Sequence, residues 1–255
     1  MSSGDKRDAS RTIGADFLML ITAAVWGTAF VAQRAGMEHV GPYTFNAVRF
    51  ALGALSLVPF LFVPAGSAAQ PGAPVASASS SPHKRTASRW TPALLISGLA
   101  AGTVLFLGSS FQQVGIVYTT AGNAGFITGL YVIIVPITGL FFGQRPGTGV
   151  WFGAVLALAG LYFINDAPGF RLAKGDLLVL VCAFFFAAHV LIIGRLSPRN
   201  PAVPLSIVQF LTCSALSLVT AMWRESLILQ DLIAAAVPIL YGGVGSVGIA
   251  YTLQV

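Results

Sequence analysis

The chain has 255 residues, of which 56% are hydrophobic and 9% are charged, and its formal net charge is +6. Soluble domains carry about 25% charged residues, so this composition predicts a membrane protein with the lipid bilayer as a partner. The positive charge does not indicate a nucleic-acid partner, because Lys and Arg lie in loops and at the ends of apolar runs. No zinc-ligand spacing, phosphate-binding loop or nucleophile elbow occurs, so we expect no enzyme activity, no metal and no cofactor.

The apolar runs predict eight membrane-crossing helices, since a crossing takes roughly 20 predominantly apolar residues. In chain order they cover Phe17–Gln33, Tyr43–Val63, Pro92–Phe111, Thr120–Phe142, Gly149–Ile164, Leu177–Gly194, Val203–Trp223 and Leu232–Val255. The runs lack the alternation of barrel strands, and only helices satisfy their own backbone in hydrocarbon. The predicted fold class is therefore an all-α polytopic membrane protein.

Two polar segments flank or interrupt these runs. Residues 1–14 form a tail that we expect to be retained, because the next apolar run is too long for a signal-peptide core. Residues 64–90 are rich in Ser, Ala, Pro and Gly, which predicts a disordered loop. With tail and loop in the cytoplasm, nine Lys and Arg residues fall inside and four outside. The positive-inside rule thus favours a cytoplasmic N-terminus.

The third and fourth crossings form the most distinctive part of the sequence. The stretch from Trp90 to Gln144 contains no Asp, Glu, Lys or Arg. The polar residues Gln112, Gln113 and Tyr118 interrupt it near its middle. We therefore predict a helical hairpin in lipid, with its turn at Gln112–Tyr118.

The chain also repeats itself at an offset of 160. Asp16–Leu20 matches Asp176–Leu180, and Arg49-Phe50 falls on Gln209-Phe210. After the 64–90 loop the offset drops to 142. One unit has five crossings, an odd number, so the second copy must enter the membrane from the opposite side. The sequence therefore predicts inverted five-helix repeats, an architecture that many secondary transporters use.

One family resemblance adds to this interpretation. The segment Tyr118–Tyr131 (YTTAGNAGFITGLY), followed by Pro136, resembles the EamA family of the drug/metabolite transporter superfamily. Trp26-Gly27, Arg49-Phe50 and Ala250–Gln254 share the resemblance. It implies a ten-helix, multi-pass secondary transporter that moves small metabolites across the inner (plasma) membrane.

The resemblance divides the chain into two EamA repeats. The first repeat covers 15–165, and the second, 175–255, holds only three predicted crossings, so we expect it to be incomplete. One function is export of small metabolites or amino-acid-like solutes by alternating access. The alternative is a non-transporting truncated membrane protein, or an interaction remnant of such a transporter. Homo-oligomerisation stays open.

Polar and aromatic side chains within predicted crossings are candidates for a substrate site, because they need partners or water in lipid. The substrate-site candidates are Trp26, Gln112, Asn123, Phe126, Tyr131, His189, Tyr241 and Tyr251. Each has a structural alternative: packing against lipid or another helix for the aromatic rings, an interhelical hydrogen bond for Asn123, and a water-facing position in the turn for Gln112.

Two titratable groups, His189 and Arg49, lie deep in predicted crossings. His189 would either couple protons or stay neutral and bonded to a neighbouring helix. For Arg49 we expect structural anchoring, through snorkelling or a carbonyl or acid partner, and the alternative is direct contact with the substrate. Pro136 is predicted to kink the fourth crossing. The acids lie in tails, links or at the edges of crossings, so the coupling ion stays open.

Small residues predict where helices approach closely. Four pairs have the G-x-x-x-G spacing of close helix contacts in membranes: Gly98/Gly102, Gly125/Gly129, Gly139/Gly143 and Gly149/Gly153. Cys182 and Cys213 lie in apolar runs and are predicted to be small core residues.

Overall fold

The computed structural model describes residues 22–62, 90–143, 145–164 and 173–250, and the backbone in these ranges forms helices without a strand. The helices are α1 (22–36), α2 (Pro42–Leu57), α3 (Pro92–Val117), α4 (Ala121–Gly129), α5 (Tyr131–Phe141), α6 (Thr148–Ile164), α7 (Lys174–Leu196), α8 (Ala202–Arg224), α9 (Leu229–Ala234), α10 (Ala236–Leu240) and a π-helical segment (Tyr241–Ala250). The predicted tail, the predicted loop up to residue 89 and Tyr251 lie outside the described residues.

Five helical stretches in the described ranges are long and apolar enough to cross a membrane. They are Pro42–Phe62, Pro92–Val117, Ala121–Phe141, Lys174–Arg199 and Ala202–Arg224. Their mean hydropathy lies between 1.6 and 2.8, although up to half of each stretch is buried inside the protein. Such helices are apolar on both their inner and outer sides, as a helix bundle in lipid requires. The protein is therefore a multi-pass helical membrane protein, and the count of eight crossings stays a prediction.

The turn between the third and fourth crossings lies later than predicted. Helix α3 continues to Val117, so Gln112 and Gln113 are buried inside the helix and not in a turn. The reason is that Gln112 finds a partner within the bundle: its Nε2 donates to Thr128 Oγ1 at 3.2 Å. The true turn ends at Thr120, whose Oγ1 accepts from the backbone amide of Asn123 and caps α4.

The fourth crossing is interrupted at Leu130, between α4 and α5. Pro136 lies six residues further on, buried inside α5. A proline removes one backbone donor and crowds the carbonyl four residues earlier, so it weakens this helix locally. The interruption at Leu130 was not predicted, and a kink at Pro136 itself stays a prediction.

Helices α2, α3, α7 and α8 enclose the main core. The rings of Phe50 on α2 and Phe210 on α8 meet with their centroids 6.0 Å apart. Cys182 and Cys213 are free and buried in the same core. The close approach of α3 to α8 depends on Gly102, where a Cβ would lie 2.6 Å from the carbonyl oxygen of Gln209. The prediction for Gly98/Gly102 therefore matches a real contact, because Gly98 also faces α8.

Not every predicted glycine contact exists in the described residues. A Cβ at Gly149 or Gly153 on α6 would meet no atom within 4 Å, and both positions are exposed. By contrast, a Cβ at Gly243 in the π-helical segment would lie 2.9 Å from the carbonyl oxygen of Arg49. The π-helical segment thus packs on α2 much as α3 packs on α8.

Hydrogen bonds connect the ends of α1, α3 and α7. Arg34 on α1 donates to the last carbonyls of α3, with Nη1 at 2.8 Å from both Ile116 O and Val117 O. A cation at a helix C-terminus is stabilising, because the free carbonyls there carry partial negative charge. Asp176 at the start of α7 accepts from Thr119 Oγ1 at 2.5 Å and from the amide of Ala173 at 2.9 Å. These contacts hold the α3–α4 turn against α1 and α7.

Glu225, at the end of α8, caps the start of α2. Its carboxylate accepts from the amides of Tyr43 and Thr44 at 2.9 and 2.8 Å, and from Thr44 Oγ1 at 2.6 Å. These amides have no partner within their own helix, and negative charge is favoured at a helix N-terminus. Glu225 therefore replaces the side-chain cap that Gly41 lacks.

We expect Glu225→Ala to lower the free energy of unfolding by about 1–2 kcal/mol, because it removes three hydrogen bonds and a helix cap. Denaturant titration of the detergent-solubilised chain measures this change. Glu38→Ala, at an exposed acid in the α1–α2 link, is the matched control and should change stability little. Equal effects of the two substitutions would contradict the capping role.

Candidate functional site

A cavity of about 520 Å³ lies between the helices. Its described walls come from α1, α2, α3, α4, α5, α7 and the π-helical segment. The described residues that line it are Ala23, Trp26, Gly27, Ala29, Phe30, Gln33, Arg49, Gln112, Ala121, Gly122, Gly125, Phe126, Thr128, Gly129, Tyr131, Val132, Phe186, His189, Val190, Ser246 and Val247. Ligand sites in proteins have volumes of about 300–1,000 Å³, so the cavity can hold a small metabolite.

Small residues create much of this space. A Cβ at Gly27 on α1 would meet nothing within 4 Å, and a Cβ at Gly122 on α4 would meet only Thr120 Oγ1 at 3.9 Å. A Cβ at Gly125 would already touch the ring of Phe30 at 3.4 Å. The volume of the cavity therefore depends on glycines in α1 and α4, because larger side chains at these positions would fill it.

Aromatic side chains form most of the larger walls. Trp26 is half-buried, and its indole Nε1 donates to the carbonyl oxygen of Ser246 at 3.3 Å, which joins α1 to the π-helical segment. Phe126, Tyr131 and Phe186 contribute rings from α4, α5 and α7. Such rings offer large, rigid apolar surfaces to a solute.

A few polar groups lie among these rings. The side chain of Gln112 joins α3 to α4 through Thr128, as described above. His189 is 3% exposed, and its Nε2 lies 2.8 Å from Gln209 Oε1. This side-chain hydrogen bond joins α7 to α8. The ring of His189 is thus oriented by α8 while it lines the cavity from α7.

Arg49 contributes a formal positive charge. Its side chain is 4% exposed, and its Cζ lies 4.9 Å from the ring centroid of Phe50 and 5.6 Å from that of Phe45. Aromatic faces attract a cation and help to hold it in place. None of the other described lining residues is Asp, Glu, Lys or Arg. Among the described residues of the cavity wall, the charged side chain is therefore that of Arg49 on α2.

The structure brings together five of the eight predicted substrate-site residues. Those that line the cavity are Trp26, Gln112, Phe126, Tyr131 and His189. Asn123 and Tyr241 do not line it. Asn123 lies in the first turn of α4, and the hydroxyl of Tyr241 lies 2.5 Å from Thr28 Oγ1, where it ties the π-helical segment to α1. Tyr251 lies outside the described residues.

Several lining residues were not predicted. Arg49 was predicted to be a structural anchor, with substrate contact as the alternative, and it lines the cavity. Phe30 and Gln33 were not singled out, although both line the cavity. A signal for them exists in the sequence, because Trp26, Phe30 and Gln33 are spaced four and then three residues apart. That spacing places all three on one face of a helix.

The sequence of this chain is similar to those of known transporters. Residues 13–166 match the EamA-like transporter family. A protein of Archaeoglobus fulgidus named "Uncharacterized transporter" is 33% identical over 195 residues, which cover 74% of this chain and 52% of that protein. A second protein of that organism, with the same name, is 26% identical over 180 residues, covering 69% of this chain and 55% of its own length.

The chain thus spans about half the length of the curated relatives it matches. A solved crystal structure can be superposed on this chain with a TM-score of 0.66 and 19% sequence identity. The match covers 94% of this chain and 77% of the chain in that structure, and it shows a likeness of fold alone. The family match covers well over half of the residues and includes most of the helices that wall the cavity. The chain therefore belongs to the EamA-like transporter family.

Proposed function

We propose that the protein is a secondary transporter that exports small metabolites or amino-acid-like solutes across the inner membrane. The solute would bind in the 520 Å³ cavity, and its passage would use alternating access. The observation that carries this proposal is a cavity of ligand size, walled by seven helical elements of a membrane bundle and lined by aromatic and polar side chains.

The contacts between helices support inverted repeats. Phe50 and Phe210, which the offset of 160 pairs in sequence, meet ring to ring at the α2–α8 contact. Gly102 approaches the carbonyl of Gln209, and Gly243 approaches the carbonyl of Arg49, the residue that the repeat pairs with Gln209. Gly243 lies 141 positions after Gly102, one less than the offset of 142 read from the sequence. Equivalent helices would therefore make equivalent contacts.

Alternating access needs two bodies that can move relative to each other. Here the first body would be α1 to α6, and the second would be α7 to the π-helical segment. The cavity lies between them, since α7 and the π-helical segment supply Phe186, His189, Ser246 and Val247. Rocking of one body against the other would open the cavity to one side and then to the other.

A flux measurement tests the proposal. The purified chain is reconstituted into liposomes that are loaded, in separate batches, with radiolabelled amino acids and organic acids. We expect saturable efflux of at least one solute class, because a binding site fills at high solute concentration. Protein-free liposomes are the control. Identical rates with and without protein for every solute would instead favour a non-transporting membrane protein.

A further inference from the structure

We infer that the cavity takes an uncharged solute with a flat apolar body and a carboxamide-type head group, and that the side-chain amide of Gln33 binds this head group. This inference rests on the proposed transport function and names the class of solute that the same cavity takes. Gln33 would set the specificity of the site, because its amide offers both a donor and an acceptor to the solute.

Gln33 carries an unmet hydrogen bond in the cavity wall. The residue lies on α1, lines the cavity and is 3% exposed. No group in the described part of the chain donates to its Oε1. A buried amide oxygen without a partner lowers stability, and native proteins leave few such atoms. A solute or a water molecule in the cavity would supply the missing donor.

Two other polar side chains of the described wall already have partners. Gln112 donates from Nε2 to Thr128 Oγ1 at 3.2 Å, and His189 Nε2 lies 2.8 Å from Gln209 Oε1. Both bonds join two helices, so these groups contribute to helix packing. The side-chain amide of Gln33 makes no such bond with the described residues. It is therefore the amide of the wall that a solute can use without breaking a contact between helices.

Helix α3 fixes the backbone around Gln33. The carbonyl oxygen of Gln33 accepts from Nε2 of Gln113 at 3.5 Å, and the next residue, Arg34, donates to Ile116 O and Val117 O at 2.8 Å. The side chain of Gln33 thus starts from a backbone position that is held against a neighbouring helix. A binding group that is already held in place loses less freedom when a solute binds.

The chemistry of an amide selects the head group of the solute. A glutamine side chain has a carbonyl oxygen that accepts and an NH2 group that donates, and its last torsion is roughly two-fold. A solute carboxamide carries the same pair of groups, so it can match the amide of Gln33 in either position of that torsion. A ketone only accepts, and it would leave the oxygen of Gln33 unmet. No Asp or Glu is among the described lining residues, so these walls offer no carboxylate to an ammonium head group.

The face of α1 that carries Gln33 selects the body of the solute. Phe30 and Trp26 lie three and seven residues before Gln33, and all three line the cavity. With a rise of about 1.5 Å per residue, the backbone of Phe30 lies about 4.5 Å along the helix axis from that of Gln33. Gly27 leaves space beside these rings, because a Cβ there would meet nothing within 4 Å. An aromatic or similarly flat group, separated from the carboxamide by a short carbon chain, fits this arrangement.

Three probes of one shape test the inference. They are 3-phenylpropanamide, the matching methyl ketone 4-phenyl-2-butanone and the matching acid 3-phenylpropanoate, which have equal numbers of non-hydrogen atoms. Calorimetry measures their binding to the full chain in phosphatidylcholine nanodiscs at neutral pH, and protein-free nanodiscs give the partition into lipid that is subtracted. We expect the amide to bind at least about tenfold more tightly than the ketone or the acid, because only the amide donates to Gln33.

Two variants locate the effect. Gln33→Leu removes the amide and keeps a side chain of similar length, so it should bring the amide probe to the affinity of the ketone and leave ketone binding nearly unchanged. Gln230→Leu is the matched control, because Gln230 is exposed on α9 and does not line the cavity. It should keep the preference for the amide. The comparison of amide and ketone on the unmodified chain needs no variant, so the inference stays testable even if Gln33→Leu does not fold.

Several outcomes would overturn the inference. Equal affinities for amide and ketone would show that a water molecule, and not a solute, bonds to Gln33. Tighter binding of the acid than of the amide would show that charge selects the solute. A preference for the amide that survives Gln33→Leu would place the head group elsewhere in the cavity. If no probe binds, the inference also falls, whereas saturable efflux from the liposomes would still support the proposed transport.

Discussion

Gly102→Leu is expected to yield no folded protein, because α3 and α8 meet at this glycine. A Cβ here would lie 2.6 Å from the carbonyl oxygen of Gln209 and 3.0 Å from its Cα, and both atoms belong to backbone that cannot turn away. Even Gly102→Ala should lower the free energy of unfolding by about 1–3 kcal/mol through overpacking. Size-exclusion profiles and thermal melting of the detergent-solubilised chain measure both effects.

The repeat predicts the same behaviour at Gly243, where a Cβ would lie 2.9 Å from the carbonyl oxygen of Arg49. Gly243→Ala should therefore destabilise the protein to a similar extent. Gly153→Leu is the matched control, because a Cβ at Gly153 would meet nothing within 4 Å and the position is exposed. If Gly102→Leu melted like Gly153→Leu, the α3–α8 contact described here would be wrong.

Gly27→Leu is expected to leave the fold intact and to lower saturable flux at least about tenfold, which corresponds to about 1.4 kcal/mol or more. Gly27 lines the cavity, and a Cβ there would meet nothing within 4 Å, so a leucine side chain can occupy space that the solute would otherwise use. The substitution also replaces a helical glycine with a better helix former, so it should not destabilise α1. Flux from liposomes and thermal melting separate the two effects.

Two further variants serve as controls for this prediction, namely Gly27→Ala and Gly153→Leu. The alanine adds one methyl group and should lower flux only moderately, whereas the leucine on α6 lies outside the cavity and should leave flux unchanged. Full flux through Gly27→Leu, with unchanged melting, would show that the solute does not pass through this cavity.

The helical membrane structure could be predicted from composition, because it depends on how many apolar and charged residues each stretch of the sequence contains. The stretch from Trp90 to Gln144 has no charge, and any such stretch must satisfy its backbone within helices in lipid. Where each helix ends was harder to predict. Gln112 looked like a turn residue because amides are unusual in lipid, but its bond to Thr128 on another helix keeps it inside α3. That partner is distant in space until the chain folds.

The candidate site was predicted in part for a related reason. Residue type identified Trp26, Phe126 and His189 as candidates for the substrate site, because large aromatic or titratable groups within a crossing often face a cavity or bind a partner. Residue type also selected Asn123 and Tyr241, which do not line the cavity, since type carries no information about the direction in which a helix face points. The depth of Arg49 in its crossing could be counted along the sequence, but the cavity that it lines could not be predicted, because six other helical elements form the rest of that wall.

By itself, the sequence determined that the chain forms apolar helices in a membrane, since the number of apolar residues per run and the scarcity of charge need no knowledge of neighbours. Only the tertiary structure decided which side chains meet. These contacts depend on how each helix is rotated and on close approaches such as that of Gly102 to the backbone of Gln209. The space beside Gly27, and the arginine at its wall, exist only after seven helical elements have packed around them.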